Sequence, residues 1–315
     1  MDFQTIEEFF TLFLDDVEEI NFEFISDHLP DLSRFYKLKK LRCCNNQLTY
    51  LPLIPSTLIL LSCDRNQLTS LPLLPSTLEY LYCSGNQLTN LPLLPSTLKV
   101  LRCDRNQLTY LPLLPSALKS LYFHSNQLTC LPLLPSTLKE LGCNNNQLTY
   151  LPPLPSTLIE LWCDNNNLTY LPLLPSTIKI LSCTNNQLTY LPLLPSNLKT
   201  MYCYKNQLTC LPLLPSTLEI LHFDNNPFLD CYIKPDVSLS MVDYIEKLRN
   251  QIEIINNFKE LFYTLKYKKK FIDLLWINIR EPKIRNKYKP ENLIAMLEEK
   301  EDITLDELDE LLEKW

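Results

Sequence analysis

A twenty-residue unit, L-x-x-L-x-C-x-x-N-Q-L-T-x-L-P-x-L-P-S-T, recurs along this chain. Ten copies of its first half start at Leu38, Leu58, Leu78, Leu98, Leu118, Leu138, Leu158, Ile178, Leu198 and Leu218. No other feature constrains the fold as much. A unit this short cannot bury its own apolar side, so consecutive copies must stack and cover one another. The 315 residues are therefore read as one array with two ends, and the usual length prior for separate domains does not apply. Eighteen of the 24 prolines lie in two columns of the repeat, so the proline excess belongs to the architecture.

One copy, "LEYLYCSGNQLTNLPLLPS" (Leu78 to Ser96), shows how a coil is built. Leu78, Leu81 and Cys83 fall where a short strand turns them inward, and Tyr80 and Tyr82 alternate outward. Asn86 belongs to a column that is Asn in every copy from Asn46 to Asn226. An unpaired buried amide costs about 1–3 kcal/mol, so this column is predicted to satisfy backbone groups at the turn and in the next coil. The two prolines of "LTNLPLLPS" fix φ and forbid helix, leaving an extended or polyproline-like return. Pro153 replaces leucine in one return, which puts its column on the outer surface. The column of Ile54 and Leu154 is predicted to point inward.

The pattern L-x-x-L-x-L/C-x-x-N-x-L resembles the leucine-rich repeat signature, at the short end of its length range. The expected fold is an α/β solenoid of 20-residue units with a parallel concave sheet and a polyproline-like convex side. Three segments follow. Residues 1–37 form an N-terminal helical cap, since Thr5 to Ile20 carry apolar residues at helical spacing (Ile6, Phe9, Phe10, Phe13, Leu14, Val17). Residues 38–226 form the solenoid, with about ten strands. Residues 227–315 lose the repeat and read as a small helical C-terminal domain. There Pro290 starts one helix and Thr304 with Glu307 caps another. Its charge is segregated: ten Lys or Arg in 258–289 and ten acids in 291–315. These stretches are expected to attract each other. The alternatives for "KYKKK" (Lys266 to Lys270) are a nucleic-acid or acidic-surface patch and a localisation signal.

The repeats are similar to those of bacterial secreted effectors, whose units read "LPxLPxxLxxLxxxxNxLTxLP"; the similarity covers residues 29–226. Some members of that family carry a ubiquitin-ligase domain with a catalytic cysteine in a C-x-D motif. Here 89 residues remain after 226, and their one cysteine, Cys231, sits in "DCYIK", so the resemblance does not carry ligase activity over. The tail "KYKKKFIDLLWINIREPKIRNKYKPENL…LDELLEKW" resembles C-terminal segments in proteins of giant amoeba-infecting viruses. Together the two resemblances imply a viral repeat protein made in an amoeba's cytoplasm.

Neither composition nor motif points to chemistry. Net charge of −7 argues against a nucleic-acid backbone as the main partner. No apolar run reaches the length of a membrane span, and the acidic start does not read as an export signal. The reading is a reducing intracellular compartment, a cytoplasmic location (the host's, if viral), and the 12 cysteines as thiols. Asn167-Leu168-Thr169 looks like a glycosylation triplet only because Asn replaces the usual Gln. The column Cys43, Cys63, Cys83, Cys103, Cys143, Cys163, Cys183 and Cys203, completed by Phe123 and Phe223, is a line of side chains and not a convergent ligand set. It reads as core, against a metal or redox site and against regular disulfides. His28, His124 and His222 lie far apart, and no Ser/His/Asp or Cys/His constellation forms. No enzyme, cofactor or metal is expected.

Surface recognition remains. The outward strand column includes Tyr82, Arg102, Tyr122, Trp162 and Tyr202, residue types favoured at interface hot spots. They are the expected anchors for a protein partner, a host one on the viral reading, held on the concave face. One alternative is a structural or self-assembling viral component that uses the convex leucines from Leu73 to Leu213. An effector of the ligase type is disfavoured. Partner identity and oligomeric state are open at this point.

Overall fold

In the computed structural model, residues 11, 13–21, 27–227, 240–254 and 266–268 are described. Eleven three-residue strands form one sheet: β1 (Glu19–Asn21), β2 (Lys40–Arg42), β3 (Leu60–Ser62), β4 (Tyr80–Tyr82), β5 (Val100–Arg102), β6 (Ser120–Tyr122), β7 (Glu140–Gly142), β8 (Glu160–Trp162), β9 (Ile180–Ser182), β10 (Thr200–Tyr202) and β11 (Ile220–His222). Their spatial order is their sequence order. Every pairing is parallel, and from β2 onward the register advances by one repeat, as in Leu81↔Leu101. This is a β-solenoid of 20-residue coils.

The inward columns form the core. Leu78, Leu81, Cys83 and Leu88 are fully buried, as are their equivalents through most of the array. The column of Leu73 lies outside, as Pro153 implies, with Leu73, Leu93, Leu113 and Leu133 each more than 80% exposed. The neighbouring column is less buried than the sequence predicts. Leu74 and Leu154 are only half-buried, and of these positions Leu214 alone is core. Leu214 lies where the helix over 241–254 meets the last coil. Arg249 donates from its guanidinium to the carbonyls of Leu214 and Pro215 at 3.2 and 3.0 Å.

Hydrogen-bond ladders tie coil to coil. The Asn86 amide donates to Cys83 O in its own coil and to Cys63 O in the coil before, while its Oδ1 accepts from Leu68 N–H. This arrangement recurs down the column to Asn226. Asn46, the first rung, keeps its Oδ1 buried without a partner; the chain before it departs from the repeat. Threonine adds another ladder, with Thr77 Oγ1 donating to Leu58 O at 2.7 Å. The strained residue of each turn is the one before the Asn. Asn45, Arg65, Gly85, Arg105, Ser125, Asn145, Asn165, Asn185, Lys205 and Asn225 all have φ between 52° and 67°. Left-handed backbone is disfavoured for residues with a Cβ, and Asn tolerates it best after Gly, which explains its frequency in this column.

The ends differ from the sequence reading. Ile20, the expected last residue of a capping helix, is fully buried in β1, and residues 13–18 are turns and bends. Ile20 pairs opposite Leu41, so a strand extends the sheet by one coil beyond the expected ten. Leu29, Leu32 and Phe35 complete that coil's core. Residues 5–10 and 12 lie outside the described residues. At the other end, the helix over 241–254 buries Tyr244, Ile245, Leu248 and Ile252. Tyr244 stacks on Phe223 of the last coil, ring centroids 6.2 Å apart. The compact unit holding the solenoid runs to Ile252, with a second from Glu253 to Trp315. Of "KYKKK", Lys266, Tyr267 and Lys268 are helical. Cys231, Pro290, the Thr304–Glu307 cap and the acidic stretch lie outside the described residues.

Candidate functional site

The solvent face of the sheet is built by the residues flanking each buried leucine. Five residues were singled out there, and the structure gathers three of them. The Arg102 guanidinium lies 4.8 Å from the Tyr122 ring and 6.0 Å from the Tyr82 ring, so it is held between two aromatic faces on neighbouring strands. Cation–π contacts of this kind fix the position of a long side chain that is otherwise free to rotate. Tyr122 is fixed further, donating its O–H to Glu140 Oε2 at 2.8 Å. Burial and the Glu140 carboxylate push the Tyr122 phenol well above its ordinary range.

Gly142 lets this cluster form. A Cβ there would meet His124 Cε1 and Nε2 and Tyr122 Cδ1 at 2.5 Å, too close for any side chain. The Tyr122 and His124 rings, 5.7 Å apart, thus occupy the space above a glycine. The signal was present in the sequence, since the chain has only two glycines and one interrupts the outward column.

The other two residues stand apart from this cluster. Trp162, on the far side of Gly142, donates from Nε1 to Glu160 Oε2 at 3.3 Å. Tyr202 stacks on His222, centroids 5.3 Å apart. Tyr82, Tyr122, Trp162 and Tyr202 are half-buried, and Arg102 is exposed. Beside the cluster, where the strands end, an open groove of about 700 Å³ is lined by residues that include Asp64, Arg65, Arg102, Asp104, Arg105 and His124.

Beyond the strands, the next column does structural work that the sequence did not disclose. Asp64 Oδ1 accepts from Ser84 N–H, Asp104 Oδ1 from His124 N–H, and Asp164 Oδ1 from Thr184 N–H, each at 2.7 Å. Ser84, His124 and Asn144 continue the ladder through Oγ, Nδ1 and Oδ1. His124 therefore accepts at Nδ1, which suits the neutral ring, and burial lowers its pKa. Burial raises the Asp164 pKa against the opposing effect of its hydrogen bonds. Asp64, Asp104 and Asp164 are committed to neighbouring coils, whereas Arg65, Arg102 and Arg105 form no ion pair among the described residues.

The cysteine column is buried throughout and free of disulfides. Its thiols also point along the solenoid. Cys63 Sγ donates to Tyr82 O and Cys83 Sγ to Arg102 O, both at 3.5 Å. Burial pushes the pKa of Cys63, Cys103, Cys163 and Cys183 far up, which disfavours the thiolate needed for metal binding or nucleophilic attack. No group of three or more His, Cys, Asp or Glu among the described residues is placed to hold a metal ion. No helix among them is long and apolar enough to cross a membrane.

No family model and no curated protein matches the chain. Solved structures do. YopM from Yersinia enterocolitica is 33% identical over 64% of this chain and 50% of its own, with a TM-score of 0.56. The functional domain of InlJ from Listeria monocytogenes, described as including a cysteine ladder, is 29% identical over 65% of this chain and 52% of its own, with a TM-score of 0.54. The chain thus spans about half the length of each. Toll, in a complex with Spatzle from Drosophila, is 22% identical over 68% of this chain and 34% of its own at a TM-score of 0.50, which shows the fold alone. By repeat, register and fold, the chain has the leucine-rich repeat architecture and is similar to YopM.

Proposed function

We propose that this protein is a non-enzymatic interaction module that seats a protein partner on the solvent face of its sheet. The observation that carries the reading is the cluster Tyr82–Arg102–Tyr122, whose Tyr122 ring packs over Gly142. Its side chains are fixed before any partner arrives, so little conformational freedom remains to be lost on binding. Trp162 and Tyr202 extend the anchors along the same face, and solenoids of this kind present extended surfaces for binding. Arg102 and the neighbouring Arg65 and Arg105 favour a partner that brings carboxylates to an aromatic patch. On the resemblance of the tail to giant-virus proteins, that partner is a host protein met in the cytoplasm.

The test is affinity capture from amoeba lysate with the wild-type chain and with Tyr122→Ala/Trp162→Ala. Loss of specific partners in the variant, with melting temperature unchanged, supports the reading. An unchanged set of partners refutes it.

A further inference from the structure

The return face, opposite the sheet's partners, has no counterpart in the proposed function. Two independent observations set it apart. The column from Leu53 to Leu213 holds leucine in every copy except Pro153, yet six of its leucines, Leu73 and Leu193 among them, are 80% exposed or more. Neither the core nor the turn explains this preference: the side chains are outside, and proline serves equally well at 153. Three residues earlier on the same return, Tyr50, Tyr110, Tyr150, Tyr170 and Tyr190 are about half exposed. Secondly, the nine segments from 46–58 to 206–218 contain no Asp, Glu, Lys or Arg at all. Every such residue in 38–226 lies in or beside a strand.

We propose that the return face is a homotypic interface, covered by the same face of a second copy of this chain. Area supports this occupant. An exposed leucine offers about 100 Å² of apolar surface, so the eight leucines of the stripe present roughly 800 Å² before its tyrosines are counted, comparable with the ~800 Å² per partner of a standard interface. That already exceeds the largest apolar patch of most monomers, roughly 300–600 Å². Charge supports it as well. Two identical faces meet without like-charge repulsion only if neither carries net charge, and this face carries none. A nucleic acid or an anionic membrane calls for cations that are missing here. Periodicity completes the fit: a two-fold contact is self-complementary by construction, and both stripes repeat at the same coil spacing.

The experiment is light scattering with sedimentation velocity on the full chain across a hundredfold concentration range. The mass expected for the wild type is twice the 36.9 kDa of the chain. Leu113→Asp/Leu133→Asp is expected to halve that mass, with its secondary structure unchanged and its melting temperature equal to that of the wild type diluted to monomer. Leu93→Lys/Leu113→Lys, of opposite charge, is expected to do the same and guards against an effect of acid alone. A monomeric wild type overturns the proposal and leaves the face to a different apolar partner. A dimer that survives both variants also overturns it, and places the dimer contact elsewhere.

Discussion

Along the sheet face the residue changes at nearly every coil, from Tyr82 to Arg102 to Tyr122 to Gly142 to Trp162; along the return face, six positions from the nearest charge, Leu73, Leu93, Leu113 and Leu133 repeat unchanged. The outward strand residues are mostly half-buried, whereas the return leucines stand almost fully in solvent, so the two faces differ in burial as well as in pattern. The sheet face holds its side chains in specific pairs, such as Arg102 between two tyrosines and Tyr122 on Glu140. The return face is uncharged from end to end, its exposed leucines interspersed with exposed Gln, Thr and Ser that repeat with the same period. A surface that varies can select a partner by pattern. A surface that repeats can only meet something equally uniform, and another copy of itself is the simplest example.

Both faces depend on the ladder between them, so the largest expected effect comes from breaking it. Asn126→Ala removes the acceptor for Leu108 N–H and the donor to Cys103 O and Phe123 O. Leaving those buried groups unpaired is expected to cost about 3 kcal/mol in urea denaturation. Cys103→Ser, which buries a hydroxyl where a thiol sits, should cost about 1–2 kcal/mol. In native protein, exposed Cys130 is expected to react with a thiol reagent at once, and the ladder thiols only on unfolding.

Gly142→Ala separates site from scaffold more finely. The new Cβ displaces the Tyr122 and His124 rings and not backbone. Stability should fall by about 1–3 kcal/mol, because displaced His124 no longer accepts from Asn144 N–H, while affinity for the captured partner falls about tenfold or more. Arg105→Gly relieves a φ of 52° and is expected to gain about 1 kcal/mol. In protein dilute enough to be monomeric, an exposed return-face change such as Leu93→Ser should shift stability by no more than about 0.5 kcal/mol, the smallest of these substitutions.

Acidification gives a graded test of the sheet-face ladder. The folded pKa of His124 is lowered below its ordinary 6.5, so below that pH the unfolded chain binds more protons than the folded one. The contribution of His124 is therefore intact above about pH 6.5 and is lost as pH falls through the folded pKa. Asp164 has the opposite sense in a more acidic window, since its raised folded pKa makes the charged form costly as pH rises above about 3.8. Comparing wild type with His124→Asn across pH 7 to 5 isolates the histidine; equal slopes in the two proteins would sink this account.

Much of the molecule was legible in sequence because a repeat reports the same constraint ten times. The core leucines, the inward cysteines and the Asn ladder all followed from columns that hardly vary, and Pro153 alone was enough to place the outer leucines. The ends were less legible because each occurs once. The apolar spacing that suggested a helix through Ile20 also suits a strand, and pairing with Leu41 decided the matter.

The sequence by itself determined the period, the parallel stacking it forces, and most of the core columns, the half-buried column of Leu74 and Leu154 excepted, since those depend on local pattern and on apolar burial. Only the tertiary structure decided that the residue before each Asn takes the left-handed turn, that Asp64, Asp104 and Asp164 hold up the next coil, and that Gly142 makes room for Tyr122 and His124. Apart from the turn, those facts are relations between residues some twenty positions apart. They exist only once stacking has set neighbouring strands about 4.8 Å apart, and no single copy of the repeat contains them.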